Sequence, residues 1–285
     1  MSWEKLIKEN KPLVITGTIN AYSALLAERA GIKAIYLSGG GVANASYGLP
    51  DLAMTSREDV LEDVRRIRSA SELPLLVDID TGWGSALAIS RSIKEMISAG
   101  ASGVHIEDQI SEKRCGHRPN KEIVSSEEMV DRIKAAKDAQ TDDNFLLMAR
   151  TDAFAKGGLQ EVIDRSNAFI EAGAGAIFPE AISTLKDYEE ISKNVSKPIL
   201  ANITEFGMTP LFSHNDLADA GVKIVLHPLS AFRAMSKAAE KVYATLASGG
   251  DHEGLLDKMQ TRDELYDVLD YHMYEEKIDK LFEKN

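Results

Sequence analysis

The chain of 285 residues has almost nothing with which to crosslink itself, since Cys115 is its single cysteine. An internal disulfide is excluded, and a lone thiol suits a reducing compartment. Positive charge is also in short supply. Lys and Arg number 33 against 45 Asp and Glu, a formal net charge of −12. That balance argues against nucleic-acid phosphates or an anionic membrane as partner. No apolar run approaches the roughly 20 residues of a membrane span. The opening residues Met1-Ser2-Trp3-Glu4-Lys5 are charged where a signal peptide would be apolar. No low-complexity segment or linker divides the chain. These absences predict a soluble cytoplasmic protein whose partner is a small molecule. If that molecule is itself acidic, local cations or a metal must receive it.

What the chain does have is alternation. Short apolar runs at 13–16, 34–37, 75–78, 103–106, 145–148, 176–178, 199–202 and 223–226 are separated by amphipathic stretches. Each run suits a parallel strand covered on both faces. Eight such strands with intervening helices predict a closed (β/α)8 barrel of the TIM type. A glycine follows the helical stretch at Gly31, Gly100, Gly173 and Gly221, as a left-handed C-terminal cap requires. Pro74 and Pro198 fall at strand starts, where no ladder donor is lost. A helix is predicted over 230–247, a break at Gly249-Gly250-Asp251, then helices over 262–270 and 274–282. The expected division is a catalytic barrel at 1–247 and a helical extension at 248–285. Leu265, Tyr266, Leu269, Tyr271 and Met273 would pack that extension on a neighbouring subunit or back on its own barrel.

Active sites of such barrels lie at the C-terminal strand ends, and nearly every strand delivers a polar group there. The second leads into Ser38-Gly39-Gly40-Gly41, expected as a turn whose backbone donors hold an anion. The third ends at Asp78-Ile79-Asp80. Two residues apart on a strand, these carboxylates face the same way and repel unless a cation lies between them. Hard oxygens with no His or Cys beside them favour Mg²⁺, with Mn²⁺ as substitute. Glu107 and Asp51 would assist directly or through water. Arg150 leaves the fifth strand as a bidentate clamp for a carboxylate. After the fourth strand comes Lys113-Arg114-Cys115-Gly116-His117, with no apolar side chain within two positions of the thiol. Lys113, Arg114 and His117 would stabilise the thiolate and hold the thiol pKa below its free value. Cys115 would then exchange a proton near neutral pH, or act as a nucleophile.

The cysteine loop and Asp78-Ile79-Asp80-Thr81-Gly82-Trp83-Gly84 resemble the isocitrate lyase and phosphoenolpyruvate mutase superfamily. So do Tyr36-Leu37-Ser38-Gly39-Gly40-Gly41, Ala149-Arg150-Thr151-Asp152-Ala153, Phe178-Pro179-Glu180-Ala181 and Asn202-Ile203-Thr204-Glu205-Phe206-Gly207. The similarity runs nearly end to end. It is strongest to the branch that splits (2S,3R)-2-methylisocitrate into pyruvate and succinate, a step of propionate breakdown. That resemblance implies a Mg²⁺-dependent lyase acting on a small tricarboxylic acid. It implies a homotetramer whose C-terminal helices exchange between subunits. Carried over by position, Asp78 and Asp80 hold the metal, and Ser38, Gly39 and Gly40 hold a substrate carboxylate. Cys115 and Gly116 sit at the cleaved bond, with Cys115 as proton donor. Arg150, Glu180, Asn202, Ile203, Thr204, Arg233 and Arg262 line the rest of the pocket. For the initial base, Tyr36, a nearby carboxylate and a metal-bound hydroxide stay open. So do cleavage of 2,3-dimethylmalate or isocitrate, a carboxyphosphonoenolpyruvate-type phosphonomutase reaction, and plain binding of a small acid.

Overall fold

The structure, a computed structural model, describes residues 2–251 and 253–282. Its strands are β1 (Leu13–Gly17), β2 (Ile35–Leu37), β3 (Leu75–Asp78), β4 (Gly103–Glu107), β5 (Leu146–Thr151), β6 (Ala176–Pro179), β7 (Leu200–Asn202) and β8 (Ile224–His227). The helices are α1 (Trp3–Glu9), α2 (Ala21–Arg29), α3 (Gly39–Tyr47), α4 (Arg57–Ala70), α5 (Ala86–Ser98), α6 (Ser126–Asp138), α7 (Phe154–Glu171), α8 (Leu185–Asn194), α9 (His214–Asp219), α10 (Ser230–Ala247), α11 (Arg262–Val268) and α12 (Tyr271–Phe282). Two compact units meet in sequence after Ser230.

In the first unit β1 to β6 pair in parallel in sequence order, β7 pairs β8, and β1 pairs β8. The ring closes between β6 and β7, where Ile177 bridges Ile199 and its N–H reaches the Pro198 carbonyl at 2.9 Å. The predicted (β/α)8 barrel is therefore the fold. Side-chain alternation sorts each strand into two cores. Ile35, Leu37, Leu75, Val77, Leu147, Ala149, Ile177 and Val225 pack outward with the helices. Leu13, Ile15, Leu76, Leu146, Met148, Ala176, Phe178, Leu200, Ile224 and Leu226 fill the interior, joined by Trp3 and Leu6 of α1. Helix starts follow local chemistry. Asn20 with Ser23 and Ser56 with Asp59 form reciprocal capping boxes. Gly31, Gly100, Gly173 and Gly221 all take positive φ as expected of C-terminal caps.

Two expectations need correction. Ser38-Gly39-Gly40-Gly41 is not a turn: Ser38 caps α3, its Oγ accepting the Gly41 N–H at 3.1 Å, and the glycines form the first helical turn. In the second unit, α11 ends at Val268 and α12 begins at Tyr271. Asp270 between them takes φ 51°, and Tyr266 stacks on Tyr271 with ring centroids 4.2 Å apart. No helix among the described residues is long and apolar enough to cross a membrane.

Candidate active site

The interior-facing positions change character along each strand. Above the aliphatic layer lie Tyr36, His105 and Phe178, the imidazole stacked on Tyr36 and meeting Phe178 edge-on. Tyr36 Oη lies 2.8 Å from His105 Nε2 and 3.5 Å from Asp78 Oδ2. One step further along the same faces come Asp78, Glu107, Arg150, Glu180 and Asn202, all buried. Alternation thus carries each strand from aliphatic carbon to charge within a few residues.

Asp78 ends β3, and its carboxylate accepts the N–H of Gly39 at 3.1 Å and that of Asp80 at 3.0 Å. Asp80 is not a strand residue; it turns back at φ 47°. The two carboxylates converge through that turn and not through strand alternation. A Cβ at Gly39 would lie 3.1 Å from Asp80 Oδ1 and 3.2 Å from Asp78 Oδ2, so the start of α3 sits directly against the pair. Burial pushes Asp80 up to about 6, Lys113 opposing and Asp78 reinforcing the rise. Burial also raises Asp78, but His105, Lys113 and Arg150 outweigh it and hold the group at about 2. Beside them, burial drives Glu107 well above the usual carboxylate range against the pull of Arg150 and Lys113.

The cysteine loop folds onto this rim. Its base is closed by a bridge between Gln109 and Ile123. Lys113 Nζ lies 2.7 Å from Asp80 Oδ1 and 2.6 Å from Asp51 Oδ1. Burial opposes that ammonium's charge, but Asp80, Glu107, Asp51 and Asp78 raise its pKa well above the usual value. His117 Nδ1 accepts the Met208 N–H at 3.0 Å, which leaves Nε2 protonated and facing Glu180 Oε1 at 3.3 Å. Gly116 rests on the Arg150–Glu180 pair: a Cβ there would come within 2.4 Å of Arg150 Nη2 and of Glu180 Oε2. Any larger residue there would have to displace the Arg150 and Glu180 side-chain ends. Cys115, half-buried, therefore shares one mouth of the barrel with Asp78 and Asp80.

The thiol departs from the expected charge state. Burial raises its pKa, the His117 backbone N–H lowers it, Asp51 and Glu180 raise it again and Arg150 lowers it; the net shift is upward. Lys113, expected to stabilise a thiolate, spends its charge on Asp80 and Asp51. Arg114 contributes its backbone, which exchanges hydrogen bonds with the Gln109 side chain at 2.9 Å, while its side chain is exposed. Arg150 is fully engaged by Glu107 at 3.1 Å, Asp152 at 2.9 Å and Glu180 at 3.3 Å. Asn202 Nδ2 lies 3.3 Å from Glu180 Oε2, and Ile203 and Thr204 are buried beside it. Arg233 on α10 and the exposed Arg262 at the start of α11 belong to the second unit.

Lys121 was not among the residues the sequence singled out. Buried in the same loop, it donates to the Gly116 carbonyl and pairs with Asp152. The only signal for it was spacing: Lys113, His117 and Lys121 fall four residues apart, and each meets a carboxylate of the rim. Asp108 faces away from the site, binding Thr151 Oγ1 at 2.7 Å and Arg165 at 3.2 Å.

The donor set fits a hard divalent cation. Glu107 Oε1 is buried without a hydrogen-bond partner among the described residues, while Asp80 Oδ1 and Glu107 Oε2 face the Lys113 and Arg150 cations. Asp78 and Asp80 converge beside them. No group of three or more His, Cys, Asp or Glu among those residues is arranged to hold a metal ion; the fit rests on the carboxylate pair alone, and Mg²⁺ takes one or two carboxylates and completes its shell with water and substrate oxygens.

The same sequence and fold recur in known proteins. The family model described as phosphoenolpyruvate phosphomutase matches residues 3–247. A 2-methylisocitrate lyase of Vibrio cholerae is 59% identical over 282 residues, covering 97% of this chain and 92% of that protein. The crystal structure of a 2,3-dimethylmalate lyase superposes with TM-score 0.83 at 30% identity, covering 97% of this chain and 93% of that one. A phosphonopyruvate hydrolase in complex with oxalate and Mg²⁺ superposes with TM-score 0.85 at 28% identity, covering 98% and 97%.

Proposed function

Because the chain belongs to the phosphoenolpyruvate phosphomutase family, we propose that it is a carbon–carbon lyase splitting 2-methylisocitrate into pyruvate and succinate. Identity favours this substrate: 59% to the Vibrio cholerae 2-methylisocitrate lyase against 30% to the 2,3-dimethylmalate lyase. One observation carries the reading. The cysteine loop docks on the carboxylate rim through Lys113 and Asp80, which brings Cys115 to the same strand ends as the carboxylate pair.

Asp78 and Asp80 would hold Mg²⁺, or Mn²⁺ in its place, with Asp51 and Glu107 nearby. The ion supplies Lewis acidity toward the hydroxyl and carboxylate that become pyruvate. Ser38, Gly39, Gly40, Asn202, Ile203 and Thr204 line the space for the remaining carboxylates. The hydroxyl proton leaves toward the acidic side of the rim. As the oxygen collapses to the ketone of pyruvate the C–C bond breaks, and its electron pair passes through the released carbon into the adjacent carboxylate of the succinate half. Cys115 ends the sequence by giving its S–H proton to that carbon. Its upward-shifted pKa suits the role, because the proton is present at neutral pH. Buried Glu180 and Arg150 press on Gly116 and set the height of the thiol.

The protein would act in the cytoplasm as a homotetramer. Exposed Leu87 and Leu211 in the first unit, and Tyr243, Leu281 and Phe282 in the second, support self-association; sedimentation reads the oligomer directly. The activity test supplies Mg²⁺ and, in parallel, 2-methylisocitrate, isocitrate and 2,3-dimethylmalate, and follows keto-acid release. We expect 2-methylisocitrate to be preferred, with release stopped by a chelator and restored by Mg²⁺. Cleavage of isocitrate with equal or higher kcat/KM would overturn the substrate. No cleavage of any of the three would overturn the reaction.

A further inference from the structure

We propose that Lys121 is a positioning residue for Cys115: its buried ammonium clips the Gly116 carbonyl to Asp152 and so holds the thiol over the rim. The inference rests on the reading of Cys115 as proton donor. Lys121 Nζ lies 2.6 Å from the Gly116 carbonyl and 2.5 Å from Asp152 Oδ1. The side chains of Lys121 and Asp152 are 4% and 0% exposed. The Lys121 ammonium is already shared between those two protein acceptors, which makes it a holding group and not one that touches the reacting atoms.

Lys113 and His117 anchor their own side chains to the rim, and the rest of the loop's scaffolding leaves the Gly116 carbonyl to Lys121. The Gln109–Ile123 bridge, the Ile110 N–H to the Glu122 carbonyl at 3.1 Å and the Val124 N–H to the Asp108 carbonyl at 2.8 Å close its base. The side chain of Gln109 holds Arg114. Beyond Arg114 the Cys115 carbonyl is tied within the loop by the Arg118 N–H at 2.8 Å. The Gly116 carbonyl is tied to the barrel by Lys121, through Asp152. A glycine peptide has wide conformational freedom, so losing that clip frees the Gly116–His117 peptide and lets Gly116, with Cys115 before it, turn away from Arg150 and Glu180. Stability alone is a poor reason to bury an ammonium. An apolar side chain of similar volume would fill the space without the desolvation cost.

Asp152 makes the clip a shared one. It also binds Arg150 Nε at 2.9 Å, and its own N–H bonds Asp108 Oδ1 at 2.9 Å. Lys121 therefore links the loop to the carboxylate that orients the guanidinium beneath Gly116. Position of the thiol and position of Arg150 become one geometric variable.

The test uses the full chain with Lys121→Met, Lys121→Arg and, as a control in the helix layer, Leu61→Ala. Misplacement of a catalytic group by about 1 Å costs on the order of 100-fold. Lys121→Met should therefore lower kcat for 2-methylisocitrate by roughly 10- to 100-fold while KM stays within a factor of about three. In substrate-free protein, alkylation of Cys115 by iodoacetamide should quicken several-fold. Lys121→Arg, which keeps a charged donor, should recover part of both. Leu61→Ala, compared at matched loss of Tm, should leave alkylation at the wild-type rate. If Lys121→Met does not fold, Lys121→Gln, which keeps a neutral donor for Gly116, carries the same readouts. The proposal is overturned if the folded variant shows unchanged kcat and alkylation, or if Leu61→Ala quickens alkylation equally. Alkylation needs no substrate. A wild-type chain that fails to cleave 2-methylisocitrate, yet shows the ordered alkylation rates, would retire the reaction and keep the clip.

Discussion

At the lower end of the barrel interior Leu13, Ile15, Leu76, Leu200 and Ile224 fill the space between strands with aliphatic carbon. A few residues further along, Asp78, Glu107, Arg150 and Asp152 occupy space as deeply buried as theirs with charge. The two ends do opposite things to the free energy. Each aliphatic side chain at the lower end contributes about 1.5–3 kcal/mol on burial. The charges above lose hydration that their pairing returns only in part. Burial by itself thus says little about what a residue is for. The chemistry buried, and whether it is compensated, separates a stabilising layer from a working one.

That division can be broken from either end. The largest effect is expected above, where Cys115→Ser should lower kcat by about 10²–10⁴-fold, the usual span for a lost proton donor, with KM and thermal stability little changed. Steady-state kinetics beside a melting curve decides it, and unchanged turnover would remove Cys115 from the mechanism. Below, Leu76→Ala should cost about 2–5 kcal/mol in denaturant unfolding while the folded fraction keeps its kcat. A large fall in that kcat would mean that the lower layer also sets the site.

The smallest effect concerns the boundary between the layers. Burial depresses the His105 pKa from 6.5 to about 4, Asp78 opposing and Arg150 adding to the shift. Between those values the unfolded chain binds more protons than the folded one, so this group's contribution to stability is lost as pH falls through the window. Asp80, raised to about 6, works the other way: its contribution is lost as pH rises from about 4 to about 6. Metal-free wild type should therefore gain stability over His105→Gln as pH rises from 4 to 6.5. Urea titrations at several pH values read the difference, and parallel curves for the two proteins would count against a buried neutral imidazole.

Much of the fold is legible in the order of residues. Short apolar runs, four of them preceded by an Ala-Gly cap, mark all eight strands, because a parallel strand covered on both faces has few other compositions open to it. The helix at Ser230–Ala247 is legible to the residue, ending at a glycine pair that breaks it. Ser38-Gly39-Gly40-Gly41 is not, because glycine is a poor helix former. Its helical turn is set by neighbours remote in sequence: a Cβ at Gly39 would crowd Asp78 and Asp80, and one at Gly40 would crowd Asp51. The charge state of the thiol is illegible for a similar reason. Lys113 and Arg114 are adjacent to it in sequence, but one ammonium is bound to carboxylates and the other cation is in solvent, leaving burial to dominate. Lys121 carries no local mark beyond its spacing from Lys113 and His117.

From residue order came the barrel, its strand count and the set of polar groups at its mouth, since periodicity and capping are properties of neighbouring residues. Tertiary structure alone decided how those groups pair, which of them keep a proton, and that a buried lysine clips the cysteine loop. Those outcomes turn on distances of a few ångströms between side chains tens of positions apart, and on the water excluded around them, neither of which is written in local order.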